Sequence, residues 1–202
     1  GQTSTYDYDD ANRVIAISRP EGSSSFSYDD DGNLLTIINE QGTISREYDS
    51  LNRITKYTDT RGNTIQYSYD NVGNLLSLTY PDNKQVSYEY DAANRLIKVR
   101  DWADRVTLYE YDDNGRLLKT TRSDGSIQIQ SYNSAGWLIK QVDTAANNQI
   151  IAQFDYSYDE NSNITAEVSN IPELPPTPAN ITMTYSADNR LADYNGEPVN
   201  YD

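Results

Sequence analysis

The sequence predicts an all-β fold in which tandem β-hairpins form one continuous, twisted and curved antiparallel sheet, a partial spiral. Three observations predict it: a tyrosine motif recurs at near-constant spacing, turn residues separate short strand-like runs, and the composition is unusual. The 202 residues include 18 Tyr but only 2 Phe and 2 Trp, and the apolar content is 36%, below the roughly 45–50% of typical domains. A Tyr ring covers apolar surface while its hydroxyl stays in water, which suits a single-layer sheet with two accessible faces.

The repeated motif is a Tyr followed three to five residues later by Gly or Asn, then by Arg, Asn or Trp, and then by an aliphatic residue. Its best-preserved copy is Tyr88-Glu89-Tyr90-Asp91-Ala92-Ala93-Asn94-Arg95-Leu96. Successive copies lie 20, 20, 21, 21, 21, 21, 26 and 27 residues apart by subtraction, with a truncated copy at Tyr201 a further 16 residues on. The copies begin at Tyr8, Tyr28, Tyr48, Tyr69, Tyr90, Tyr111, Tyr132, Tyr158 and Tyr185. Such a period predicts a stacked-repeat architecture, so we expect function to reside in the assembled surface.

Each motif contains the chemistry of a tight turn. Its Asp carboxylate can accept a hydrogen bond from the backbone two residues on, and its Asn or Gly can adopt positive φ. The spacing fits a hairpin loop of three to five residues built on a type I turn. Ser162, in the eighth copy, is the residue least suited to this role. The equivalent aspartates are Asp9, Asp29, Asp49, Asp70, Asp91, Asp112 and Asp159, and the equivalent glycines are Gly32, Gly73, Gly115 and Gly136.

A second set of turns lies about half a period away, at residues 40–42, 59–63, 81–84 and 123–125. Two turns in each period leave two strands of about six residues, a common strand length. Each repeat is therefore predicted to be one hairpin.

Side chains two residues apart on a strand face the same side. We therefore expect paired aromatic residues to stack between hairpins, with aliphatic pairs on the returning strand. At Arg46 and Gln130 the aromatic row is interrupted, and we expect it to be thinner or wetter there. The aromatic pairs are Phe26 with Tyr28, Tyr67 with Tyr69, Tyr88 with Tyr90 and Tyr109 with Tyr111; the aliphatic pairs are Ile15 with Ile17, Leu35 with Ile37, Leu76 with Leu78 and Ile97 with Val99.

The rhythm divides the chain into three segments. Residues 1–143 hold regular repeats, residues 144–184 a degenerate repeat with a proline-rich loop, and residues 185–202 terminal, truncated repeats. Proline removes a ladder hydrogen bond, so residues 171–180 are interpreted as a lengthened hairpin loop or edge segment. A docking site for a partner is the alternative interpretation of this proline run.

These motifs resemble the Rhs/YD-repeat family, found in bacterial Rhs toxin-shell proteins and with related repeats in teneurins. The resemblance covers residues 6–143 closely and residues 150–202 more loosely. It implies hairpins that wind into a hollow shell, with further repeats and a C-terminal toxin or effector domain of the same polypeptide as partners. It also implies a secreted or cell-surface bacterial protein. The chain begins at Gly1 and stops before the turn of its last copy, so we expect it to form only part of such a wall.

Composition argues against several other classes of function. A net charge of −15 repels phosphate backbones, so no nucleic-acid partner is expected, and no apolar run is long enough to span a membrane. Without His or Cys, the usual catalytic triads and zinc sites are excluded, and we expect no catalytic residues, cofactor or metal. Four calcium-loop positions are matched by Asp29, Asp31, Asn33 and Glu40, but Leu34 stands where that loop requires Gly.

The sequence leaves two functions open. The first is a structural segment of an Rhs/YD-repeat shell that encloses or presents a C-terminal effector. The alternative is a recognition module for carbohydrate or a cell surface, in which exposed Tyr residues with Trp102 and Trp137 stack against sugar rings. Trp137 replaces the usual Arg of the motif and Trp102 lies in a turn region, so packing is the expected role of both.

Overall fold

The computed structural model describes residues 3–172, 180–186 and 190–199, and within them the chain forms nineteen β-strands and no helix. The predicted fold class, an all-β chain of tandem antiparallel hairpins, is confirmed. Most of the proline-rich loop and the last motif copy at Tyr201 lie outside these residues. The chain divides into two compact units, Gly1–Tyr90 with Arg100–Asp104, and Asp91–Val99 with Arg105–Asp202.

In the first unit each strand pairs antiparallel with the next along the chain. Its strands are β1 Thr5–Tyr8, β2 Val14–Arg19, β3 Gly22–Tyr28, β4 Leu34–Asn39, β5 Gly42–Tyr48, β6 Ile54–Thr58, β7 Thr64–Tyr69, β8 Leu75–Thr79 and β9 Gln85–Tyr90.

The second unit follows the same meander, and its strands from β11 onward also pair antiparallel in succession. The strands are β10 Leu96–Arg100, β11 Val106–Tyr111, β12 Leu117–Thr121, β13 Ile127–Tyr132, β14 Leu138–Thr144, β15 Ile150–Tyr158, β16 Ile164–Asn170, β17 Asn180–Tyr185, β18 Leu191–Tyr194 and β19 Glu197–Pro198.

Two kinds of turn alternate along the chain. The motif turns begin at the residue after each motif Tyr, and the linking turns join one repeat to the next. The motif turns are residues 9–13, 29–33, 49–53, 70–74, 91–95, 112–116, 133–137 and 159–163. The linking turns are residues 20–21, 40–41, 59–63, 80–84, 101–105, 122–126 and 145–149.

The length of the linking turns explains the spacing of the motifs. Two residues separate the paired Arg19 and Gly22, whereas residues 59–63 separate the paired Thr58 and Thr64. The longer turn is flanked by strands of 5 and 6 residues in place of 6 and 7, so the repeat grows by one residue, from 20 to 21. The spacing of 26 comes from longer strands, since β14 and β15 have 7 and 9 residues against 5 and 6 in β12 and β13.

A β-bulge lies beside the motif Tyr, and its extra residue is in the strand that follows the motif turn. Tyr28 pairs with Leu34 and Ser27 pairs with Thr36, so Leu35 is an extra residue without a direct partner. The same shift occurs beside Tyr48, Tyr69, Tyr111, Tyr132 and Tyr158. The direct neighbour of the motif Tyr is therefore the first residue of the returning strand. In a pairing of the same strands without a bulge it would be the second residue.

The sheet has no thick core in the residues that the structure describes. Val86 is the only buried hydrophobic residue there, and Thr120 and Ser126 are the only buried polar ones. Most strand side chains are half-buried by their neighbours in the same layer. Stability must therefore come mainly from contacts between adjacent strands and from the turns.

Candidate functional site

The motif turn is a closed loop of five residues, with the same two backbone bonds in all eight copies whose turn lies within the described residues. In the fifth copy the Asp91 N–H donates to the Arg95 carbonyl at 2.9 Å, and the Asn94 N–H donates to the Asp91 carbonyl at 3.0 Å. Asn94 has φ of +61°, which Asn tolerates better than other non-Gly residues. Ser162, least suited by sequence, also adopts this conformation with φ of +70°.

The Asp carboxylate holds this turn from within. In the sixth copy, Asp112 Oδ1 accepts from the N–H groups of Asn114 and Arg116 at 2.9 Å, and Oδ2 accepts from Arg116 Nε at 2.6 Å. The backbone N–H of Arg116 is the main cause that lowers the pKa of Asp112, and the Arg116 side chain adds to it. The pKa is also lowered at Asp9, Asp29, Asp49, Asp70, Asp91 and Asp159.

The motif Arg links one hairpin to the next. Arg95 Nη1 donates to the carbonyl of Asp112 at 3.0 Å, and its guanidinium lies 5.0 Å from the centroid of the Tyr111 ring. This combines a charge-assisted hydrogen bond with a cation–π contact. The same pair of contacts joins Arg13 to Asp29 and Tyr28, Arg53 to Asp70 and Tyr69, and Arg116 to Asn133 and Tyr132.

The motif Tyr makes the reciprocal link to the preceding hairpin. The Tyr111 hydroxyl donates to the Leu96 carbonyl at 2.7 Å, and burial raises the pKa of this phenol. Equivalent bonds join Tyr28 to Val14, Tyr48 to Leu34, Tyr69 to Ile54, Tyr90 to Leu75, Tyr132 to Leu117 and Tyr158 to Leu138. Tyr8 in the first strand is 55% exposed, and the Tyr185 hydroxyl contacts Met183 Sδ at 3.8 Å instead.

Departures from the motif keep the turn and change the link. Asn133 replaces Asp, and its Oδ1 accepts from the Trp137 N–H at 2.9 Å. Trp137 replaces Arg, and its ring lies 5.2 Å from that of Tyr158, so an aromatic contact takes the place of the cation–π contact. Asn33 is too short to bridge as Arg does; its Nδ2 donates to Asp29 Oδ2 and to Asn52 Oδ1, at 2.9 and 2.7 Å.

In β3–β9 the two faces of the sheet have opposite character. The face that carries the motif tyrosines, here called the tyrosine face, is mostly apolar, whereas the opposite face carries pairs of hydroxyl groups. Direct pairs on the tyrosine face are Phe26 with Ile37, Ile37 with Ile44, Tyr67 with Leu78, and Leu78 with Val86. Hydroxyl pairs on the opposite face are Ser27 with Thr36 at 2.5 Å, Thr58 with Thr64 at 3.2 Å and Ser68 with Ser77 at 2.6 Å.

Arg46 interrupts the apolar row of the first unit. It pairs with Tyr57 across the strands, and its guanidinium lies 5.7 Å from the centroid of that ring. Its Nη1 atom is buried and has no hydrogen-bond partner. A buried N–H without an acceptor is destabilising, so we expect this copy to be weaker than those with Tyr or Phe at the same position.

Between β12 and β14 the character of the faces is reversed. On the tyrosine face Gln128 pairs with Asp143 and Gln130 pairs with Gln141. On the opposite face Ile129 pairs with Val142, and Ile129 is 48% exposed. Sequence reasoning identified the polar Gln130 alone and missed the reversal, although the alternating run Ile127-Gln128-Ile129-Gln130 contains its signal.

The polar side chains of this second region form one hydrogen-bonded chain. Asp143 accepts from Gln128 Nε2 at 3.1 Å and from Gln141 Nε2 at 2.9 Å. Gln130 Nε2 donates to Gln141 Oε1 at 3.3 Å, and the Tyr132 hydroxyl lies 3.1 Å from Gln130 Oε1. The half-buried polar groups therefore satisfy one another, which offsets their desolvation.

The residues considered for other chemistry occupy ordinary packing positions. Trp102 packs edge-on against Tyr80, with 5.9 Å between the ring centroids. The Lys84 Nζ atom lies 5.7 Å from the centroid of the Trp102 ring. In the part of the chain that the structure describes, no group of three His, Cys, Asp or Glu side chains is arranged to hold a metal ion. The same residues include no helix that is long and apolar enough to cross a membrane.

Comparison with known families identifies the repeat. The family model described as Teneurin YD-shell matches residues 1–107, 39–170 and 68–201, which together span nearly the whole chain. The chain belongs to the teneurin YD-shell family. The resemblance to YD repeats inferred from the tyrosine motif is thereby confirmed. No curated protein sequence matches the chain.

Solved structures share the fold of this YD-shell chain. The crystal structure of TcdB2-TccC3-Cdc42 matches with a TM-score of 0.71 and 16% identity, over 91% of this chain and 12% of the other. TcdB2-TccC3 without its hypervariable C-terminal region matches with a TM-score of 0.70 and 17% identity, over 94% and 12%. The Tc holotoxin pore of Photorhabdus luminescens matches with a TM-score of 0.56 and 14% identity, over 95% of this chain and 13% of the other. This chain thus covers about an eighth of each of those chains, and identities this low show the fold alone.

Proposed function

We propose that this chain is a structural segment of a YD-repeat shell, and that the full-length protein encloses or presents a C-terminal effector. One observation carries the proposal: the same Tyr hydroxyl bond joins successive hairpins at seven junctions, and the same Arg contacts reinforce four of them. Equivalent modules joined by equivalent bonds extend a sheet by simple addition, which is what a wall of many repeats requires. The role assigned to the motif residues is therefore structural, and no catalytic step is assigned to this chain.

The partners that follow from this role are further repeats and an effector domain of the same polypeptide. The structural relatives support this proposal, because they are TcdB2-TccC3 assemblies and one is described as lacking a hypervariable C-terminal region, which the full-length relative therefore has. A secreted or cell-surface location in a bacterium is part of the same proposal.

Limited proteolysis of the full-length protein tests the shell. The segment that follows the repeats is compared, by mass spectrometry of its fragments, with the same segment expressed alone. Enclosure predicts cleavage at least ten-fold slower in the intact protein, and Tyr111→Ala, which removes a link between hairpins, should shorten that protection. Equal cleavage rates in the two contexts would contradict the proposal.

The alternative function, recognition of carbohydrate through exposed Tyr and Trp, has less support from the geometry. Trp137 is half-buried against Tyr158. Trp102 is 48% exposed, but its ring already packs against Tyr80 and Lys84. A glycan array with the isolated chain separates the two functions: a specific signal above that of an unrelated acidic β-protein would favour recognition.

A further inference from the structure

An apolar strip lies on the face opposite the tyrosines in the second unit. Ile129 and Val142 are direct cross-strand partners at its centre. The neighbouring row along the strands places Leu108 opposite Thr121, Thr121 opposite Ile127, and Thr144 opposite Ile150. The strip is defined by Leu108, Ile127, Ile129, Val142 and Ile150.

Three of these side chains are exposed to solvent. Ile129 is 48% exposed, Leu108 42% and Ile150 36%. Each of them lies on a strand that is hydrogen-bonded to a neighbouring strand. The corresponding face of β3–β9 consists mainly of hydroxyl pairs. A contiguous apolar patch of this kind, with polar groups around it, is typical of an interaction surface.

The charges beside this patch cancel. It is flanked by two ion pairs, Glu110 with Lys119 at 2.9 Å and Lys140 with Asp155 at 3.1 Å. The flanking charges therefore sum to zero in a chain whose net charge is −15. Because two copies of the chain repel each other overall, a neutral and apolar face is where they can approach most closely.

We infer that the apolar strip is an interface between two copies of this chain, packed face to face about a two-fold axis. An isologous contact is self-complementary, so Ile129 and Val142 of one copy meet the same strip of the other. Stacked sheets pack about 10 Å apart, a distance that aliphatic side chains from both layers fill. Five half-exposed aliphatic residues on each copy bury less than the roughly 1,600 Å² of a standard stable interface, so the dimer is weak.

Sedimentation equilibrium of the 202-residue chain, from about 10 μM to 1 mM, tests the interface. We expect a reversible monomer–dimer equilibrium that becomes stronger in 0.5 M NaCl, because salt screens the repulsion between the two acidic copies. Ile129→Lys should weaken association at least ten-fold. The matched control is Ile38→Lys: Ile38 lies on the same kind of face in the first unit and is equally exposed, at 48%, and its variant should dimerise normally.

Two further measurements keep the test decisive if Ile129→Lys impairs folding. Ile129→Thr keeps a β-branched side chain and removes only part of the apolar contact, so it should weaken the dimer without unfolding the sheet. Cross-linking of mixed ¹⁴N- and ¹⁵N-labelled chains should join Lys119 and Lys140 between copies, and should not join Lys56. A chain that stays monomeric at 1 mM, a dimer that Ile129→Lys leaves intact, or association that salt weakens would each overturn the interface. None of these outcomes bears on the shell itself, which the proteolysis experiment addresses.

Discussion

Strands β3–β9 and strands β12–β14 are built from the same motif but place their apolar side chains on opposite faces. In the first region Tyr67 pairs with Leu78 on the tyrosine face; in the second, Gln130 and Gln141 occupy the equivalent positions. The Tyr hydroxyl bond to the preceding hairpin is the same in both, at 3.0 Å for Tyr69 and 2.9 Å for Tyr132. The motif thus fixes the hairpin and its links in both regions, while the two faces of the strands exchange their character.

Acid should separate the two regions most strongly. Hydrogen bonds hold the pKa of Asp49 and Asp70 below the ordinary value of about 3.9. A carboxyl group whose pKa is lower in the folded than in the unfolded state stabilises the fold. This stabilisation is complete above the pKa of the unfolded state and is lost as the pH falls through the pKa of the folded state. The motif turn at Asn133 has an amide that does not titrate, so its hairpin should retain protection at low pH.

Amide hydrogen exchange at pH 6 and pH 3, corrected for intrinsic rates, measures this difference. The N–H groups of Arg53 and Asn74 should lose protection in acid, while the N–H of Trp137, which bonds to the Asn133 side chain, should lose less. Uniform loss across all three turns would show that the carboxylates do not hold the turns individually.

Alanine at two equivalent glycines should give unequal losses of stability. Gly62 and Gly125 both lie in linking turns, with φ of +82° and +81°. Left-handed φ costs a residue with Cβ about 1–2 kcal/mol. A Cβ at Gly62 meets nothing within 4 Å, whereas one at Gly125 lies 2.8 Å from Ala146 Cβ, which adds an overpacking penalty of about 1–3 kcal/mol. Gly125→Ala should therefore lower the Tm more than Gly62→Ala in thermal unfolding. Equal shifts would contradict the close approach of Gly125 to Ala146.

Removing one hydroxyl from each region tests whether the links are equivalent. Tyr69→Phe and Tyr132→Phe each delete the bond to the preceding hairpin, so each should cost about 1 kcal/mol. Urea unfolding measures both variants under the same conditions. A cost for Tyr69→Phe without one for Tyr132→Phe would mean that the link does not survive the reversal of the faces.

Substituting Tyr at two interrupted positions should have effects of opposite sign. Arg46→Tyr removes a buried N–H that lacks a partner and should stabilise the first unit by up to about 1 kcal/mol. Gln130→Tyr removes the donor to Gln141 and should destabilise the second unit by a similar amount. Urea midpoints of the two variants report the sign directly, and two stabilised variants would show that the polar chain is not an integrated network.

Sequence alone predicts the hairpins because turn chemistry is local. The Asp, Asn and Gly of each motif define their own loop, and the structure shows the expected positive φ at Asn94 and Gly115. Four of the linking turns are also predicted from their turn residues. The assignment of three domains, 1–143, 144–184 and 185–202, stays a prediction; residues 145–149 within it form an ordinary turn between two long strands.

What sequence reasoning missed depends on contacts between repeats or on register. The Arg95 contacts with Tyr111 and Asp112 span 16 and 17 residues, so no local propensity predicts them. The recurrence of Arg at one motif position is the sequence signal that could have indicated them. The bulge beside Tyr28 adds one residue to one strand, so Leu34 rather than Leu35 becomes the partner. A pattern of period two cannot register such a shift, and Leu76, in the equivalent bulge, is accordingly 40% exposed.

One set of motif bonds forms in both regions despite their opposite faces. Hydrogen-bond scalar couplings between amide nitrogen and carbonyl carbon, measured by NMR on the deuterated chain, detect these bonds one by one. We expect couplings of similar size from the Asp70 N–H to the Asn74 carbonyl and from the Asn133 N–H to the Trp137 carbonyl, because both hydrogen bonds are 3.0 Å long in the structure. A coupling at Asp70 with none at Asn133 would contradict this shared set of motif bonds.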